Sequence, residues 1–179
     1  MSSASSSKVM KLLIDTNIWV DYFLSRSSEC RAVTKLLSLA AASESFALYV
    51  VSHSIKDISY ILASTMKEQA RRCDGELKPE AAAAAREVAW GCVRNMLDRA
   101  IVIPMGQAEI LQAFTYKRIH DDLEDDIVLG AAYRAGIDYI VTHDKPLSLH
   151  SPIPCVDVAQ ALELVKGREC VTICVQVVD

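Results

Sequence analysis

The sequence predicts an α/β fold: a central, mostly parallel sheet of four to five strands flanked by helices. Three observations predict it. Short apolar, β-branched runs recur along the 179 residues and alternate with longer segments of helical period. Apolar residues make up 51% of the chain and charged residues 23%, which suits a folded core and not a disordered chain. No repeat and no Pro/Gly/Ser-rich linker interrupts the pattern, so 9–179 reads as one domain behind a flexible tail at 1–8.

The elements follow in order. In MKLLID, at 10–15, the apolar Leu12, Leu13 and Ile14 run straight into an acid, which reads as a strand buried on both faces. Helical patterns at 16–24 and 28–43 lead to a second strand, FALYVV, at 46–51. A helix over 52–65 carries VSHSIKDISYIL, and Pro79 opens an alanine-rich helix over 79–98. A strand at 100–104 and a helix at 106–118 come next. The helix at 121–135 is better marked: Asp121 is placed as N-cap, Glu124 completes a capping-box pair, and Gly136 is placed as C-cap. Strands at 138–142 and 153–156 and a helix at 157–165 follow. The tail CVTICVQVV reads as an extra strand over 170–178, needing cover as a sheet edge, a dimer contact or a partner site.

Composition narrows the function. The six cysteines, at 30, 73, 92, 155, 170 and 174, form no C-x-x-C pair, and the histidines at 53, 120, 143 and 150 do not cluster with them. This disfavours a zinc site and suits small buried thiols in a reducing compartment, the cytoplasm by default. No stretch is apolar enough for a membrane span, and MSSASSS lacks the basic and apolar regions of a signal peptide. The net charge of −4 counts against holding nucleic acid by electrostatics alone. It counts less against an enzyme whose acids are offset by metal ions.

The acids carry the chemistry. In an open parallel sheet, ligands bind beyond the carboxyl ends of the strands. Asp15 closes the first strand, Asp57 lies in the first turns of the helix after FALYVV, Asp144 follows YIVTH, and Asp125 lies in the first turn of the marked helix. Four carboxylates gathered there repel one another without a cation, which is the logic of a Mg2+ or Mn2+ site. At about 100° per residue, Asp125 falls within the apolar arc of Val128, Leu129 and Ala132. Asp126 falls toward Gly130 and Arg134 and reads as the solvated acid. Asp122 is placed to face the same cleft as Asp125, and capping accounts for Glu124. Singly, an Asp near a helix start is most simply a cap, and Asp144 before Lys-Pro a turn residue. His53 and His143 read as surface or supporting residues, not ligands.

Three stretches, LLIDTNIWVDYF, VSHSIKDISYIL and DLEDDIVLGAAYRAGIDYIVTHD, resemble the PIN domain, and more particularly its VapC-type toxins, over roughly residues 9 to 165. The resemblance implies a three-layer sandwich and metal-assisted hydrolysis of RNA, with Mg2+ or Mn2+ as cofactor. It implies catalytic, metal-binding acids at Asp15, Asp57, Asp125 and Asp144, where Asp57 stands for the more usual Glu. Thr16, Asn17, Asp122 and Thr142 are then the residues that orient those acids. Further implications are a small antitoxin as partner and a homodimer. Two alternatives remain: a catalytically inactive RNA-binding or scaffold module of the same fold, and a metal-dependent phosphatase. A phosphatase of the haloacid dehalogenase type needs a second Asp two residues after the first, where Asn17 stands. There is no G-x-x-x-x-G-K or G-x-G-x-x-G nucleotide loop.

Overall fold

The computed structural model describes residues 8–26, 29–117 and 122–176, with side chains through Arg168. Strands β1 (Met10–Ile14), β2 (Phe46–Val51), β3 (Ala100–Ile103), β4 (Tyr139–Val141) and β5 (Cys155–Val156) form one sheet in the order β3-β2-β1-β4-β5. Every neighbouring pair is parallel. The helices are α1 (Thr16–Leu24), α2 (Cys30–Ala42), α3 (Ser52–Asp74), α4 (Pro79–Leu97), α5 (Gln107–Tyr116), α6 (Leu123–Ala135), α7 (Lys145–His150) and α8 (Val158–Gln176).

Helices cover both faces of the sheet, so successive residues of β1 enter two different cores. Leu12 and Ile14 pack with Trp19, Leu36, Ile58, Met96 and Val165 on one side. Leu13 packs with Leu129, Ala132, Ile140 and Leu147 on the other. This is why the strand shows no polar alternation. Each of these leucines is at most 2% exposed, and such burial stabilises by roughly 2 kcal/mol per side chain.

Four elements depart from the sequence expectation. α3 runs on from 65 to Asp74, held past its apolar stripe by the Glu68–Arg72 pair at 3.1 Å and stopped at Gly75, whose φ of 78° is left-handed. α7 was not expected; the Asp144 side chain caps it. The strand expected at 170–178 is replaced by helix through Gln176, and residues 177 and 178 lie outside the described residues. Val158, Ala161, Leu162 and Val165 are buried at helical spacing and start α8 firmly. Elongation from a formed helix then outweighs the few tenths of a kcal/mol that each β-branched residue costs. Of the tail expected at 1–8, residues 1–7 lie outside the described residues, while Lys8 is tied down by Asp138 at 2.8 Å and Arg168.

Candidate metal centre

From β1 the chain winds outward to β2 and β3, then returns to lay β4 and β5 on the opposite side. The strand order therefore reverses between β1 and β4, and the crevice beyond their carboxyl ends is where such sheets bind ligands. Asp15 emerges there, still joined to the sheet by its N–H, which donates to the Val141 carbonyl at 3.0 Å. Thr142 and Asp144 leave the end of β4 beside it.

Asp15 is the centre of a tight network. Its Oδ1 accepts the Thr16 N–H at 2.6 Å, and its Oδ2 accepts the Asn17 amide at 2.7 Å and the Thr142 hydroxyl at 2.6 Å. Thr142, only 3% exposed, also accepts the Asp144 N–H on its Oγ1 at 2.9 Å. Asn17 Oδ1 in turn accepts the His143 N–H at 3.4 Å. Asp144 Oδ1 accepts the Leu147 N–H at 2.9 Å. The orienting roles expected of Asn17 and Thr142 thus have a geometry, whereas Thr16 contributes through its backbone.

Burial pushes the Asp15 carboxyl above its ordinary value, and the negative Asp144 adds to this, against the donors Thr142, Thr16 and Asn17. A carboxylate with three donors that is still hard to ionise lacks positive charge nearby. A divalent cation would supply it.

Asp57 lies on the second turn of α3, beyond the end of β2, the other neighbour of β1. Its Oδ1 is 3.4 Å from the exposed Lys56 Nζ, and its Oδ2 is 3.4 Å from His53 Nε2. That Oδ2 is buried and makes no hydrogen bond. His53, Asp57 and Glu124 each place a ligand atom within 4.8 Å of the others. An orphaned, buried carboxylate oxygen among metal-ligating side chains fits a bound cation.

The start of α6 differs in detail from expectation. Asp122 is its N-cap, exposed, with Oδ1 accepting the N–H groups of Glu124 at 3.0 Å and Asp125 at 3.3 Å. Asp121 lies outside the described residues. Asp122 therefore fixes the turn that carries Glu124 and Asp125. Asp125 is half-buried. Asp126, expected to be solvated, is only 2% exposed and faces the cleft between α5 and α6 with Ala113, Phe114, Lys117 and Leu123. The reason is close packing on that side. A Cβ at Gly130 would lie 2.8 Å from the Glu109 carbonyl oxygen, and Arg134 pairs with the Glu109 carboxylate. The arc that looked polar is the α5 contact.

The sequence reading does not place His53 and Glu124 beside Asp57. The i,i+4 spacing of His53 and Asp57 was the available signal. Glu124 looked explained as a capping partner, and among the described residues the side chain that caps this helix is that of Asp122.

A model of the PIN domain matches residues 11–146. The chain belongs to the PIN domain family. No curated protein matches it. Among solved structures this PIN domain is similar to VapBC2 from Rickettsia felis bound to a DNA fragment from its promoter, with 15% identity and a TM-score of 0.56 over 83% of this chain and 98% of that one. It is similar to DNA-bound VapBC from Salmonella typhimurium, with 13% identity and a TM-score of 0.59 over 84% and 99% of the two chains. A third likeness is to VapC20 of Mycobacterium tuberculosis, a sarcin-ricin loop cleaving toxin, with 14% identity and a TM-score of 0.55 over 77% and 93%. At these identities the likenesses establish the fold.

Proposed function

We propose that this PIN domain is a divalent-metal-dependent endoribonuclease of the VapC toxin kind, hydrolysing RNA phosphodiester bonds with Mg2+ or Mn2+ in the cytoplasm. The observation that carries this reading is the Asp15–Thr142–Asp144 network at the point where the strand order reverses. Asp15, Asp57, Asp125 and Asp144 would hold the cation, which when bound supplies Lewis acidity for in-line hydrolysis. Thr142, Asn17 and the Thr16 N–H hold both Asp15 oxygens in fixed directions, so little ordering cost falls on the loaded state. Asp122 fixes the first turn of α6 and with it Asp125.

The sarcin-ricin loop cleaving neighbour favours RNA as the substrate, and the VapBC neighbours favour a small antitoxin as partner. A homodimer belongs to the same reading. The test is incubation of the full chain with structured and single-stranded RNA, with Mg2+ or Mn2+ and with chelator. Cleavage that needs the ion and vanishes in Asp15→Asn is expected. No cleavage under any ion, together with no ion-dependent rise in melting temperature, would refute it.

A further inference from the structure

We infer that His53 is a nitrogen ligand of this centre, so that the site takes a transition-metal dication such as Mn2+ or Co2+ in preference to Mg2+. This rests on the metal-dependent reading above and names the class of ion.

The juxtaposition comes from two helices. His53 and Asp57 stand one turn apart on the same side of α3, and Glu124 reaches them from the first turn of α6. One imidazole and two carboxylates place ligand atoms within 4.8 Å of one another. Two carboxylates at that range repel, and a cation bound between them and the imidazole would relieve that repulsion. The exposed Lys56 faces Asp57 Oδ1, which leaves Oδ2 on the His53 side, buried and without a hydrogen bond. A helical ion pair alone would not bring in Glu124 from a separate element. The His53 and Asp57 side chains are 31% and 26% exposed, so an ion could enter and keep water or substrate on its open side.

The ligand set then decides the metal. Mg2+ takes oxygen ligands and keeps much of its water. First-row transition dications accept imidazole nitrogen more readily than Mg2+ does, and their affinities rise along the row from Mn2+ through Co2+.

The test is pulsed electron paramagnetic resonance of the full chain loaded with Mn2+, with Mg2+ competing. Nitrogen hyperfine modulation on bound Mn2+ is expected in the wild type and is lost in His53→Ala. His53→Ala should also weaken Mn2+ binding by about tenfold and leave Mg2+ affinity near its wild-type value. His53→Gln keeps the size and polarity of the side chain and should lose the modulation likewise, so a folding defect in one variant does not decide the matter. Mn2+ bound without nitrogen modulation, or equal losses for the two ions, overturns the assignment of His53 alone. If neither ion binds the wild type, the metal-dependent reading falls with it.

Discussion

The Thr142 hydroxyl donates to Asp15 Oδ2 at 2.6 Å across the crevice between β4 and β1, and Thr142 Oγ1 itself accepts the Asp144 N–H at 2.9 Å. One small side chain thus fixes the position of two acids from strands that are far apart in sequence. Removing only its hydroxyl, in Thr142→Val, should cost about 1–3 kcal/mol in urea denaturation because a buried acceptor and a buried donor each lose a partner. Metal affinity should fall by about 10–100-fold. Thr142→Ser should restore most of both.

Asp15→Asn should abolish the ion-dependent rise in melting temperature and RNA cleavage together. Its far-ultraviolet circular dichroism should match the wild type, since the substitution keeps the shape of the residue. An unfolded variant would mean that Asp15 holds the fold rather than a cation.

Asp125→Asn and Asp126→Asn should fail differently. The first should weaken metal binding with little change in denaturant midpoint. The second should lower the midpoint, because Asp126 is buried against α5. Calorimetric titration with Mn2+ beside urea melts separates them, and matching profiles would show that the two acids share one role.

Gly130→Ala tests the approach of α5 to α6. Helix propensity alone favours alanine by about 1 kcal/mol. The backbone oxygen 2.8 Å from the new Cβ cannot give way without moving α5, so a net loss of about 1–3 kcal/mol is expected in a thermal melt. A stabilised variant would show that the helices separate freely.

Glu109 sets a pH dependence away from the metal centre. Its own N–H and that of Gly106, the latter at 2.8 Å, hold its carboxyl below the ordinary value of 4.5; burial opposes them, and Arg134 adds to the lowering. A carboxylate lowered on folding stabilises the fold above its unfolded pKa, and that gain is lost as pH falls through the folded one. The stability difference between wild type and Glu109→Gln should therefore hold from pH 7 to about 5 and shrink on further acidification. Urea midpoints measured along that series decide it.

The sheet and most helices could be read from the sequence because apolar runs and helical stripes report burial directly. Asp15 was legible for the same reason: Leu12, Leu13 and Ile14 lead into it with no polar relief. The end of α8 was not, since β-branched residues such as Val171 and Ile173 favour strand locally and only the preceding buried turns commit them to helix. Asp126 misled because polarity was taken for exposure, while Gly130 in the same arc carried the sign of close packing. Glu124 was hidden by a plausible cap that its neighbour Asp122 already provides. What periodicity cannot report is which of two helix faces meets a second helix.

β5 is only two residues long, yet it accepts the Thr142 N–H through the Val156 carbonyl at 3.1 Å and so seals the side of β4 away from β1 and Asp15. So short an edge offers an incoming polypeptide almost no ladder to extend. On that flank the sheet is closed to polymerisation by strand addition, and any macromolecule approaching the acids there meets side chains and helix surfaces rather than open backbone.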